Sequence, residues 1–134
     1  MMGSKRAEDL NILVVDDEEK ICELIKIFLE SGFPFNSVVA APNSVQATLK
    51  LQNQDFDLLI IDHVLPGKTG IDFVGQLRNT IKFTKLKVIL VSAYLQQEDV
   101  LAAMDLGINH IMVKPFTRQQ LLKHVSEILK ITPL

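Results

Sequence analysis

Cysteine is almost missing from this sequence: Cys22 is the only one in 134 residues. An internal disulfide is therefore excluded, as is a thiolate metal cluster, and such sparing use suits a reducing compartment. An excess of charge of either sign is also lacking, since 14 basic and 16 acidic residues leave a net charge of −2. That balance supplies no basic field for nucleic acid or an anionic membrane surface. Apolar runs are short and fall far below the ~18 residues needed to span a bilayer. The first ten residues contain five polar or charged ones and no apolar run, so no signal peptide is read there. These absences place the chain in the cytoplasm, with no direct nucleic-acid or membrane partner.

What is present is an ordinary globular composition, 48% hydrophobic and 22% charged. The length suits one domain with a real core. Residues 11–131 read as that domain and residues 1–10 as an N-terminal tail, of which Met1-Met2-Gly3-Ser4 reads as an expression remnant. Residues 132–134 read as a C-terminal end or the start of a linker.

The organising stretch is Leu58-Leu59-Ile60-Ile61, which runs into Asp62. An unbroken apolar run bounded by turn residues suits a strand buried on both faces of a parallel sheet. Asn11 to Val15, Val38 to Ala41, Val88 to Val91 and Ile111 to Val113 are further strand runs. Helical spacing lies between and after them. Ile21, Leu24, Ile25, Phe28 and Leu29 form the first apolar stripe, stopped by Ser31-Gly32. Asn43-Ser44 opens the second helix, whose two stripes (Val45 with Leu49, or Ala47 and Thr48 with Leu51) compete for the sheet. The third runs to about Thr80 with Phe73, Val74, Leu77 and Ile81 on one face. The fourth spans about Gln97 to Leu106, and the fifth is capped by Thr117 and presents Leu121, Leu122, Val125, Ile128 and Leu129. Strand–helix alternation repeated in this way implies an α/β fold: a doubly wound, five-stranded parallel sheet with right-handed crossovers and helices on both faces.

Parallel strands share one carboxyl edge, and that edge is polar here. The first, third, fourth and fifth strands end on Asp16-Asp17, Asp62, Ser92 and Lys114. Each has a plain reading alone: a helix cap, a solvated strand end, a turn residue, a surface charge. Their convergence on one edge is what points to a site. Clustered carboxylates repel unless a cation sits between them, and all-oxygen ligation favours a hard ion such as Mg²⁺, which leaves a position for a phosphoryl group.

Asp16-Asp17, Asp62, the Pro66 and Gly70 that follow it, Ser92-Ala93 and Lys114-Pro115-Phe116 resemble the response regulator receiver domain of two-component signalling. The resemblance covers residues 10–130 and needs four separated motifs in register. It implies a flavodoxin-like fold with strand order 2-1-3-4-5 and five helices. Asp62 would be the phosphoacceptor, taking a phosphoryl group from a sensor histidine kinase or a histidine phosphotransfer protein. Asp16, Asp17, Asp62 and the backbone carbonyl of Val64 would serve Mg²⁺, with Asp16 acting through water. Lys114 and Ser92 would meet phosphoryl oxygens, and the Lys114-Pro115 bond would be cis. The output would be a switch in partner binding, with homodimerisation available on the face of the fourth helix, fifth strand and fifth helix. Such a domain is a self-catalysing phosphoacceptor and not a turnover enzyme.

One position departs from the family's pattern. An aromatic residue usually stands three before the lysine, and here that residue is Ile111, with His110 beside it pointing to the other face. Tyr94, two after Ser92, is a rim candidate for a lid or partner contact. His63 reads as a loop or backside residue, His124 as surface, Cys22 as semi-buried, and Arg78, Lys82, Lys85 and Lys87 as a solvated basic face. Three other functions compete. A small aspartyl-phosphate phosphohydrolase would need a second aspartate where Val64 stands. A flavodoxin-like cofactor carrier would need a phosphate loop where Asp16-Asp17 stand. A receiver-fold scaffold that is never phosphorylated would have no use for the intact acidic set.

Overall fold

The computed structural model describes residues 5–134; the expected remnant Met1-Met2-Gly3-Ser4 lies outside the described residues. Five strands, β1 (Asn11–Val15), β2 (Ser37–Ala41), β3 (Leu58–Asp62), β4 (Lys87–Ser92) and β5 (His110–Val113), form one sheet in the order β2-β1-β3-β4-β5. All four pairings are parallel, with Val14 opposite both Ala40 and Ile60, and Ile61 opposite Leu90. The helices α1 (Glu19–Gly32), α2 (Ser44–Asn53), α3 (Gly70–Arg78), α4 (Gln97–Asp105) and α5 (Arg118–Leu129) complete the expected alternation.

Alternation along the strands sorts the core into two layers. Ile12, Val14, Leu58 and Ile60 pack with Cys22, Ile25 and Leu29 of α1 and with Leu121, Leu122 and Val125 of α5. Leu13, Val15, Leu59 and Ile61 face α2, α3 and α4 through Ala47, Leu51, Phe73, Val74 and Ala103. Every residue of β3 is buried, which is why this strand shows no polar alternation. Fully burying an aliphatic side chain of this size contributes about 1.5–3 kcal/mol, more than local propensity can oppose. The α1–α5 contact is close: a Cβ on Gly32 would sit 2.7 Å from a methyl of Leu122.

Several boundaries differ from the sequence reading. α1 begins at Glu19 with Glu18 at its cap, and Leu24 is exposed, so Cys22, Ile25 and Leu29 carry the buried stripe. Cys22 is buried outright, not half-way. Between the two stripes of α2, the sheet takes Ala47 and Leu51, leaving Val45 and Leu49 exposed. α3 stops at Arg78, and a 3-10 turn over Ile81–Phe83 swings Ile81 out to 91% exposure. Arg78 is no solvated charge, because its guanidinium donates to the carbonyls of Leu106, Phe83 and Leu86 at 2.9, 2.8 and 2.8 Å. It bonds the end of α3 to the chain entering β4 and to the end of α4. At the chain ends, Ala7–Asp9 form a 3-10 turn, Leu10 is buried in the core, and Leu134 donates its N–H to Gly32 O at 2.7 Å.

Candidate functional site

β1 and β3 are adjacent, so their carboxyl ends put Asp16 and Asp62 side by side at the centre of the sheet edge. Among the described residues, the buried polar ones are Asp16, Asp62 and Ser92, 3%, 5% and 0% exposed. All three lie on this edge. Asp16 extends the ladder by donating its N–H to Ala41 O at 3.2 Å, and its Oδ1 accepts from the Glu18 N–H at 2.9 Å. Asp62 Oδ1 accepts from the Val64 N–H at 3.2 Å. The chain then turns back so closely that a Cβ on Gly70 would lie 2.4 Å from Asp62 O and 3.0 Å from His63 Cα. Only glycine fits there without moving the acceptor strand's end.

Lys114 comes directly after β5, its N–H bonded to Ser92 O at 2.9 Å and its peptide bond to Pro115 cis. Its ammonium lies 2.8 Å from Asp16 Oδ2, 3.1 Å from Asp62 Oδ2 and 3.3 Å from Glu18 Oε1. Burial pushes the Lys114 ammonium down, and the bonds to Asp16 and Asp62 more than offset this, so its pKa stands above the ordinary lysine value. Burial raises the Asp16 carboxyl above its ordinary value, opposed by Lys114 and the Glu18 N–H. The nearby Cys22 thiol is pushed up to about 11 by burial and by the Asp16 charge.

Carboxylate oxygens of Asp16, Asp17, Glu18 and Asp62 all lie within 4.8 Å of one another. This donor set is all oxygen and anionic, as a hard divalent cation requires, and two of its members rest on rigid strand ends. The residues present therefore fit Mg²⁺, and Lys114 already neutralises part of the cluster. Glu18 is the member absent from the expected set, and its place in the acidic run Asp16-Asp17-Glu18 is the signal that points to it.

The remaining expected residues are near but turned elsewhere. Ser92 Oγ donates to Tyr94 O at 3.1 Å and accepts from the Tyr94 N–H at 3.4 Å, folding its own loop rather than reaching the carboxylates. Tyr94 is 71% exposed at the rim, and the Val64 and Pro115 side chains are exposed as well. Ile111 packs on the layer of α2, α3 and α4. His63 is a loop residue whose Nε2 lies 3.8 Å from Asp99 Oδ1. His124 is not the isolated surface residue expected, because its Nδ1 meets that of His110 at 3.0 Å.

The family model for the response regulator receiver domain matches residues 12–126. The chain belongs to the receiver family. Relatives of this receiver include the chemotaxis protein CheY of Pseudomonas aeruginosa, 31% identical over 90% of this chain and 97% of that one. CheY1 of Helicobacter pylori is 32% identical with the same coverage. The receiver also matches 52% of the phosphate regulon transcriptional regulatory protein PhoB of Rhizobium meliloti, at 31% identity. Among solved structures, chemotaxis protein CheY4 of Vibrio cholerae superposes with a TM-score of 0.81 at 26% identity, over 90% of this receiver and 98% of that chain. The strand order is the flavodoxin-like one expected, and two-component signalling is the receiver's function class. Among the described residues, no helix of the receiver is long and apolar enough to cross a membrane.

Proposed function

We propose that this receiver is a cytoplasmic phosphoacceptor switch in which Asp62 takes a phosphoryl group from a sensor histidine kinase or a histidine phosphotransfer protein. The observation that carries the reading is the Lys114 ammonium, held 3.1 Å from Asp62 and 2.8 Å from Asp16 beside an all-carboxylate cluster. A carboxylate oxygen of Asp62 attacks the phosphorus of the phosphohistidine, the P–N bond breaks, and the imidazole leaves with the electron pair. Asp16, Asp17, Asp62 and the Val64 carbonyl would hold Mg²⁺, with Glu18 at the rim. Bound there, the ion supplies neutralisation of the phosphoryl charge.

The chain's own groups do the rest. β3 fixes the Asp62 carboxylate on a rigid element, where a small misplacement would weaken transfer. Lys114 exchanges its bond to Asp62 for one to a phosphoryl oxygen and stabilises charge as it develops. Ser92 leaves Tyr94 O and turns its hydroxyl to another oxygen. Partner binding then shifts on the face of α4, β5 and α5, with a second copy of the chain as one available partner. In this reading the domain is a self-catalysing acceptor and does not turn over metabolites.

The test is incubation with Mg²⁺ and acetyl phosphate, then measurement of intact mass, with beryllofluoride as a stable mimic. A Mg²⁺-dependent phosphoryl adduct absent from Asp62→Asn is expected, as are beryllofluoride-dependent shifts of the Ser92 and Lys114 amides. An adduct that survives Asp62→Asn, or none in the wild type, would overturn the reading.

A further inference from the structure

At the end of β5 opposite Lys114, two imidazoles face each other. His110 opens β5 and His124 sits within α5, and their Nδ1 atoms are 3.0 Å apart with the rings edge to face at 82°. Both side chains are half-buried. No group of the acidic edge takes part, and the chemistry of the pair is independent of phosphoryl transfer at Asp62.

A nitrogen–nitrogen contact of this length is a hydrogen bond only when one of the two Nδ1 atoms carries a proton and the other offers its lone pair. The neutral pair meets that condition with one ring in each tautomer. A first added proton goes to the donor ring's far nitrogen, so the bond survives and becomes charge-assisted. A second has only the accepting Nδ1 left. It puts two N–H groups head to head and two positive charges on adjoining rings.

We propose that His110 and His124 form a proton-operated clasp between β5 and α5, closed while a single Nδ1 of the pair is protonated and opened by the second proton. The charges around the pair favour opening under mild acid. Burial, and then the His110 charge, lower the His124 pKa, while on α5 itself Glu127 favours and Lys123 opposes a charge there. The cavity that His110 lines is bounded by Arg78, Lys85 and Lys87 as well as Glu127, so cations outnumber anions there. His124 in the fold therefore binds fewer protons than in the unfolded chain around the ordinary imidazole value of about 6.5. The clasp weakens as pH falls from there. Because β5 leads through Lys114-Pro115 directly into α5, loosening this contact changes how α5 is presented to a partner.

The experiment is a heteronuclear NMR titration of the imidazoles and backbone amides of the whole chain between pH 8 and 4. Two macroscopic steps separated by more than about one pH unit are expected, with the amides of α5 and β5 moving in the second. In His110→Gln and in His124→Gln, the remaining imidazole is expected to titrate in a single step, and the acid response of α5 to vanish. A single macroscopic step in the wild type would overturn the clasp. So would an α5 response unchanged in either variant. The wild-type titration decides the matter alone should a variant fail to fold.

Discussion

Lys114→Met removes the ammonium while keeping most of the buried stem, and so isolates the charge. Asp16 and Asp62, almost fully buried, then lose their shared counter-ion at 2.8 and 3.1 Å. Breaking a buried ion pair from one side typically costs about 3–5 kcal/mol. Here each carboxylate keeps a backbone donor, the Glu18 N–H and the Val64 N–H. The contact to the well-exposed Glu18 carboxylate adds little. The expected loss is about 2–3 kcal/mol at pH 7, read as a lowered urea midpoint at unchanged slope. The pKa of Lys114 is raised in the fold, so its contribution is complete everywhere below the ordinary lysine value and cannot be the source of any change under acid. Asp16, raised by burial, destabilises the fold when ionised, and this is relieved as pH falls through its folded value. The variant's deficit is therefore expected to shrink as pH falls from 7 towards the ordinary carboxylate range. Millimolar Mg²⁺ should shrink it too, to the extent that the ion binds the variant more tightly than the wild type, in which Lys114 already neutralises part of the cluster. A loss below about 0.5 kcal/mol, or a deficit indifferent to both pH and Mg²⁺, would refute the view that Lys114 is the cluster's internal counter-ion.

Other substitutions probe separate parts of the molecule. Gly70→Ala places a methyl against Asp62 O and His63 Cα; a loss of about 1–3 kcal/mol is expected, together with slower phosphorylation measured by acetyl phosphate labelling. Arg78→Ala leaves the Leu106, Phe83 and Leu86 carbonyls without their donor, which should cost about 2–4 kcal/mol in thermal or urea unfolding. Arg78→Lys should recover little of it, because an ammonium cannot reproduce the planar fork. For the relay, Ile111→Tyr is expected to enlarge the beryllofluoride-induced amide shifts of β5, and equal responses in wild type and variant would count against a role for this position.

The parts of the fold that were plain in the sequence are those where one physical demand dominates. β3 and β1 are buried on both faces, so their apolar runs are unbroken, and Asp16, Asp62 and Lys114 stand out because together they charge one sheet edge, although each alone has a plain reading. What was misread depends on where the backbone turns or on what arrives from far along the chain. Ile81 keeps helical spacing with Leu77, but α3 has ended by Arg78 and the next turn points it outwards. Arg78 looks like one of four basic residues until three carbonyls converge on it. α2 carries two stripes of similar strength, and only the packed structure shows that Ala47 and Leu51 take the sheet. His110 and His124 meet only because β5 and α5 pack together.

The pairing of β1 with β3 is a seam. β1 and β2 belong to one half of the sheet and β3, β4 and β5 to the other, and within the sheet only the β1–β3 ladder joins them. Asp16 stands on one side of that seam and Asp62 and Lys114 on the other, so the Lys114–Asp16 bond closes across 98 residues of chain. Contacts this distant in sequence form late and slowly. A chain with only one half structured therefore holds Asp16, Asp17 and Glu18 without Lys114, or the Lys114–Asp62 pair without the other three carboxylates. The acidic edge is complete only when the two halves have met across the β1–β3 ladder, so under the proposed reading an incompletely folded molecule lacks part of its phosphoacceptor set.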